Sequence, residues 1–589
     1  MENLYTRWGK TLDREHPLPE YPRPQMKRAS YLNLNGVWDY AILPTGAALD
    51  GYQGEIVVPF SPETLLSGVQ RTVTPADTLF YRRVFTFKKT QARVLLHFGA
   101  VDYRCEVRLN GKPLGVHYGG YTPFTFEITD AVRDGENELT LQVTDPSETG
   151  TQASGKQTSK RGQIWYTPQS GIWQTVWIEE VPALYVERLK LTPDIDRNEL
   201  KVEVTLNGGA APVKATATAD GCAVAEAQSD QPVLTLPLEN VRLWSPEDPY
   251  LYGLTVEAGD DRVESYFGMR KFSVGRDMNG TPRFFLNNEP YFHNGLLDQG
   301  YWSDGMYTAA HDDALIYDIQ TMKDMGFNML RKHIKIEPLR WYYHCDRLGM
   351  LVWQDMVNGG GEVNQLTAAV LPGVGLALGK RRAGNIDDGK KNYKLFSRED
   401  ANGRAEYYID AGRMIDTLYN AVSIALWVPF NEGWGQFDAK KACAFFREKD
   451  PTRIIDHASG WHDQGAGDVN SFHIYFTPFI FPKFSPLDGR VIALTEFGGY
   501  SKQTPGHVFN TEKMFGYRIY KTDEALAEAV RHLYVDRIAP LIRQKGLSAL
   551  VYTEVSDVED ETNGLLTYDR EVVKIPVGTM REINRVIRL

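Results

Sequence analysis

A chain of 589 residues with 42% hydrophobic and 24% charged residues has ordinary globular composition; this excludes disordered and fibrous architectures and predicts several domains. Its formal net charge of −11, from 65 basic and 76 acidic side chains, supplies no broad positive field for a nucleic-acid backbone, so no nucleic-acid partner is expected. Aromatic residues reach 12%, which suits stacking on sugar rings as well as core filling, and the four cysteines (Cys105, Cys222, Cys345, Cys443) show no C-x-x-C spacing, so they read as reduced thiols.

The opening residues MENLYTRWGKTLDREHPLPEYPRPQ lack the apolar core of a signal peptide, and no run of about 18 apolar residues follows; a cytoplasmic protein without a membrane partner is expected. Before residue 280, short alternating runs dominate: Arg93–Phe98, Cys105–Leu109 followed by Asn110-Gly111, Glu138–Val143, Thr175–Ile178, Val202–Leu206 and Leu251–Val256. Their period of two and their turn signals predict two antiparallel sandwiches, over residues 1–182 and 183–275.

From Pro282 onward, within a domain of residues 276–589, apolar strands alternate with amphipathic helices. Strands are predicted at Tyr291–Leu296, Asn328–His333, Met350–Met356, Ser423–Phe430, Arg453–His457, Val469–Tyr475, Val491–Phe497 and Leu547–Val555. Helices are predicted at Asp312–Met325, Pro338–Leu348, Ala401–Tyr419, Ala439–Lys449 and Asp523–Lys545. Eight strands in this alternation fit a (β/α)8 barrel, whereas a doubly wound sheet needs a glycine-rich phosphate turn that is absent. The glycine-rich stretch Val357 to Arg398, with its basic run Lys380-Arg381-Arg382, has no clear element and is predicted to hang over the barrel's C-terminal mouth.

Reacting groups of barrel enzymes sit where strands end at that mouth. The fourth strand runs through Trp427-Val-Pro-Phe into Asn431-Glu432, and the seventh runs through Thr495 into Glu496. A carboxylate ending a buried apolar strand is costly unless paired, so each is either a salt-bridge partner or a functional group. Two glutamates at one mouth match retaining glycoside hydrolysis, in which one donates a proton and the other attacks the anomeric carbon.

Trp427-x-x-x-Asn431-Glu432 and Thr495-Glu496-Phe497-Gly498 resemble the acid/base and nucleophile motifs of glycoside hydrolase family 2. Gly326-Phe-Asn-Met-Leu-Arg331-Lys-His333 with Cys345-Asp346-x-x-Gly349 resembles that family's second strand and helix. Leu34-Asn35-Gly36-Val-Trp38, Leu109-Asn110-Gly111-Lys112 and Gly171-Ile172-Trp173 resemble its N-terminal domain. The resemblance implies a jelly roll, an immunoglobulin-like sandwich and a TIM barrel, with Glu432 as acid/base and Glu496 as nucleophile. It further implies that Arg331 holds Glu496 ionised, that Asn431 binds the sugar 2-hydroxyl, and that Tyr475 and His333 line the sugar site. Asp298, Gln299 and Trp302 depart from the family pattern and stand as replacement contacts for the sugar. Trp461 and Tyr552 are candidate stacking platforms.

The family's glucuronidases carry an Asn-x-Lys motif after the eighth strand. Here the matching stretch is Glu561-Thr562-Asn563, an acid that would repel a uronic acid, so β-galactosides are the expected substrates on frequency, with glucosides, mannosides and α-L-arabinosides as alternatives. No cofactor and no obligatory metal are expected, since no matching Glu/His set is visible. A carbohydrate-binding protein without catalysis is the rival class, and the sandwiches offer lateral surface for a homo-oligomer.

Overall fold

Alternating strands bury one face each, and two such faces closing on one another give a sandwich. In the computed structural model, which describes residues 4–377, 385–476, 479 and 489–589, antiparallel sheets of six and four strands do this between Leu32–Asn33 and Val176–Val181. Leu139, Leu141 and Val143 alternate inward and meet Trp38, Tyr81 and Val107 in that core. The predicted Asn110-Gly111 turn joins two paired strands with Leu109 opposite Lys112, and both turn residues have positive φ (52° and 78°), the hairpin geometry that Asn-Gly favours. Three- and four-stranded sheets form a second sandwich from Tyr185–Asp194 to Asp261–Phe267, seven strands in all.

Eight parallel strands build the barrel: β1 (His293–Asp298), β2 (Met329–Lys332), β3 (Leu351–Asp355), β4 (Ile424–Val428), β5 (Ile454–Ile455), β6 (Val469–Ile474), β7 (Val491–Gly498) and β8 (Leu547–Thr553). Their ladder runs β5-β4-β3-β2-β1-β8-β7-β6, a ring open only between β5 and β6 among the described residues. Nearly every strand residue is buried because helices cover the outside and side chains fill the inside. A hairpin (Phe272–Arg276 with Pro282–Leu286) closes the bottom, where Phe284 packs with Leu297, Met329 and Trp353.

Helices fall at Asp312–Asp324, Leu339–Leu348, Ala401–Leu418 and Ala439–Lys449, within a residue or two of the expected spans. The expected Asp523–Lys545 helix divides into Asp523–His532, a wider π-helical turn Leu533–Ile538, and Ala539–Lys545. Pro540 explains the break: it has no N–H to donate and its ring crowds the carbonyl four residues back. The stretch after β3 is not featureless. It forms helical turns at Leu366–Val370, Leu371–Ala377 and Lys390–Phe396, while Lys380-Arg381-Arg382 lie outside the described residues. Its end is anchored over the mouth by Arg398, whose guanidinium donates to Gly435 O at 2.8 Å. Among the described residues no helix is long and apolar enough to cross a membrane.

Phe284 has no solvent exposure. Its replacement by alanine is expected to destabilise the barrel by about 3–5 kcal/mol, read as a lowered midpoint of the barrel transition in denaturant.

Candidate active site

β4 leads through Pro429-Phe430 to Asn431 and Glu432, and β7 itself carries Glu496. Glu432 adopts φ 49°, a left-handed conformation that is strained for a side chain of this size. The loop after β5 holds it there: Glu432 N donates to Ser459 O at 3.0 Å and Ser459 N to Phe430 O at 2.8 Å. Both carboxyls thereby face one pit. Donor atoms of Glu432, His473 and Glu496 all lie within 4.8 Å of one another. His473 Nδ1 is 2.7 Å from Glu432 Oε1 and 3.4 Å from Glu496 Oε2, with its other nitrogen 3.2 Å from Ser459 Oγ.

Arg331, fully buried on β2, sets the charge beneath the pair. It donates to both oxygens of Asp355 (2.9 and 3.0 Å), to Glu496 Oε1 (3.2 Å), to Thr495 O (3.1 Å) and to Asn431 Oδ1 (2.8 Å). Tyr475 donates its hydroxyl to the other oxygen of Glu496. Burial pushes Glu432 up to about 7, against the lowering effect of Lys156, Arg331 and Trp461. Burial also raises Glu496, and the charge of Glu432 adds to this; His473, Arg331 and Tyr475 oppose the rise without reversing it. The expected depression of Glu496 by Arg331 is therefore present but outweighed. His473 is lowered to about 4 by burial, so it is a neutral imidazole between the two acids at neutral pH.

The structure gathers Glu432, Glu496, Asn431, Arg331, His333, Tyr475, Gln299 and Trp461 around the pit. His333 is fixed by Asp355 at 2.8 Å, and Trp461 lies 5.6 Å from the His473 ring. Asn431 Nδ2, Gln299 Nε2 and Trp461 Nε1 are buried without a hydrogen-bond partner among the described residues. Three expected contacts are corrected. Asp298 turns to Lys332 Nζ at 2.8 Å, an ion pair inside the wall. Trp302 is sandwiched between Arg570, 4.2 Å from its ring centre, and Trp8 at 6.3 Å. Tyr552 packs outward on Phe497 and Tyr534, in the helix layer, while its neighbour Thr553 lies 3.3 Å from the Tyr475 hydroxyl. Trp353 donates to His293 in the barrel floor and Trp427 to Asp450 behind β4, so neither borders the pit. Trp434 does, 6.4 Å from the His333 ring.

Sequence reasoning missed His473, Asp355, Glu554 and Lys156. His473 was within reach, since it precedes Tyr475 by two and so shares its face of β6. Glu554 follows β8 and is buried; both its oxygens lack a partner of hydrogen-bond geometry among the described residues, although Gln299 stands beside it. Lys156 comes from the first sandwich. Its loop is pinned to the barrel by Ser154 N and Gly155 N donating to Asn358 O at 3.0 and 3.1 Å. Gly155 has φ 65°, and a Cβ there would stand 2.9 Å from the Tyr307 hydroxyl and 3.3 Å from Ile334 O, so the loop fits only with glycine at that point.

A ring of parallel strands with two carboxyls and an arginine-held base at its mouth defines a TIM-barrel site of glycosidase type. Family models agree along the chain: "Glycosyl hydrolase 2 galactose-binding domain-like" matches residues 69–178, "Glycosyl hydrolases family 2" residues 184–270, and "Glycosyl hydrolases family 2, TIM barrel domain" residues 281–491. The chain belongs to glycoside hydrolase family 2. A putative β-glucuronidase of Formosa agariphila is 29% identical over 282 residues, 44% of this chain and 32% of that protein. A β-galactosidase of Halalkalibacterium halodurans is 24% identical over 391 residues, 63% of this chain and 35% of that protein. The matched part spans about a third of the length of these curated relatives. Among solved structures, a β-D-glucuronidase of Dictyoglomus thermophilum superposes with a TM-score of 0.74 at 17% identity, covering 97% of this chain and 99% of that one. A β-galacturonidase of Eisenbergiella tayi gives 0.68 at 18%, covering 96% and 98%. At these identities the likeness is one of fold.

Because Glu432 must carry a proton to act as an acid and Glu496 must be without one to act as a base or nucleophile, activity is expected to fall above about pH 7 and again on the acid side. In a kcat/KM profile against aryl β-glycosides, Glu432→Gln is expected to abolish the alkaline limb. A limb that persists in that variant would assign it to another group.

Proposed function

We propose that this chain is a retaining exo-β-glycosidase that removes terminal non-reducing β-linked sugars by double displacement. The observation that carries the reading is the approach of Glu432 and Glu496 to within 4.8 Å. Retaining enzymes hold their carboxyls about 5–5.5 Å apart, whereas inverting ones leave about 6.5–9.5 Å for a water.

Glu432, raised to about 7 and so still partly protonated at neutral pH, gives its proton to the glycosidic oxygen as the bond to the anomeric carbon breaks. A carboxylate oxygen of Glu496 bonds to that carbon, and the aglycone leaves as an alcohol. Glu432, now ionised, takes a proton from water; the resulting hydroxyl attacks the same carbon and Glu496 is released as a carboxylate. Arg331 and the Tyr475 hydroxyl hold Glu496 in place and favour its ionised form. The buried unpartnered amides of Asn431 and Gln299 and the Trp461 indole are donors suited to a polyol, with Asn431 placed for the 2-hydroxyl. This chemistry needs no metal: an ion shared by Glu432, His473 and Glu496 would engage the same lone pairs that receive the proton and attack the sugar.

Galactosides remain the reading by frequency, with glucosides, mannosides and α-L-arabinosides as alternatives, and the relatives divide between β-galactosidases and β-glucuronidases. The case against a uronic acid rested on Glu561. That carboxylate is engaged by the Tyr166 hydroxyl and Asn563 Nδ2, so it is not a free charge facing the sugar.

With p-nitrophenyl β-glycosides, Glu496→Gln is expected to lower kcat by about a thousandfold or more, and EDTA to leave kcat within about twofold. Wild-type turnover in Glu496→Gln and Glu432→Gln would overturn the assignment of these two carboxyls as the catalytic pair.

A further inference from the structure

Lys156 is a buried amine with no direct ion-pair partner among the described residues. It is only 5% exposed, and among the described residues it donates no hydrogen bond and forms no ion pair within 4.0 Å. The rings of Tyr166 and Trp434, centred 5.5 and 5.9 Å from Nζ, are its recorded company. Ring faces attract a cation only weakly compared with a paired carboxylate, so a desolvated ammonium held there is poorly compensated.

Its position is imposed by the fold. Tyr166 N donates to Lys156 O at 3.0 Å, and the two preceding residues are tied to Asn358 on the loop after β3. The ammonium acts on Glu432, Glu554 and His333, three groups of the pit. None of them forms an ion pair with it within 4.0 Å. Glu432 must hold a proton when substrate is bound, and His333 brings no negative charge. Burial first, and then the charge of Glu561, push the Glu554 carboxyl well up. Glu561 spends its oxygens on two neutral donors, the Tyr166 hydroxyl and Asn563 Nδ2, and makes no ion pair with Lys156.

We propose that Lys156 anchors an anion subsite in the sugar pit and pairs with an acidic substituent of the substrate, the carboxylate of a uronic acid or a sulfate ester. This rests on the glycosidase reading and narrows it: the first sandwich selects the substrate by charge, and the barrel breaks the bond. Glu554, whose protonated form is favoured by burial, can donate to a second oxygen of the same group. A purely electrostatic role for Lys156, keeping Glu432 acidic, would act on every glycoside alike and cancels when two substrates are compared.

The test is the ratio of kcat/KM for acidic and neutral partners: p-nitrophenyl β-glucuronide over β-glucoside, β-galacturonide over β-galactoside, and 6-sulfo-β-galactoside over β-galactoside. In the wild-type protein at least one ratio is expected to exceed ten, and which one separates carboxylate from sulfate. Lys156→Gln is expected to lower that ratio by about 30-fold or more, and Lys156→Arg to lower it less. Neutral substrates favoured in all three pairs, or a ratio unmoved in a Lys156→Gln protein that unfolds at the wild-type temperature, would overturn the subsite. If Glu496→Gln still abolishes turnover in that event, the glycosidase reading stands and the subsite alone falls. If no glycoside is cleaved by the wild type, both fall.

Discussion

A guanidinium with no solvent exposure is an unstable thing to build unless every donor is used, and the barrel is organised around using them. Arg331 joins β2 to Asp355 at the end of β3, to Asn431 beyond β4, and to Thr495 and Glu496 on β7. Removing one partner from such a buried array costs about 3–5 kcal/mol, because a charge is left without compensation. The same array fixes where the Glu496 carboxyl points. One buried side chain thus joins the barrel strands and holds the carboxyl proposed as nucleophile.

Around this charge the pit is set by opposing influences on similar groups. Glu496 is buried and Glu432 partly so, and both are raised, yet Glu496 touches Arg331 and Tyr475 while Glu432 touches His473 and lies near Trp461. Direct contact with a cation favours the ionised form, and burial without such contact favours the protonated one. His473 stands between them as a neutral spacer that can exchange a hydrogen bond with either.

How much could be read beforehand follows from what each signal encodes. β4 and β7 were legible because each is a continuous apolar run ending in an acid, and run length and ending are local properties. The division of the last long helix was overlooked although Pro540 stood in plain view. Tyr552, Trp302 and Asp298 were misread for a different reason: the end of a strand locates a residue along the barrel axis but not on its inner or outer face, and facing is decided by neighbours distant in sequence. Tyr552 meets Tyr534, and Trp302 meets Trp8 and Arg570. Lys156 lay beyond any local reading, because its loop belongs to a different sandwich and reaches the pit through contacts with Asn358.

That pinned loop, with Gly155 fitted against Tyr307, has a consequence for the history and redesign of such a chain. The proposed reacting acids and Lys156 are encoded by separate stretches, so on the proposed reading an exchange of residues 151–166 changes charge recognition while Glu432 and Glu496 stay untouched, and a barrel excised alone loses the side chain that the sandwich sets beside Trp434.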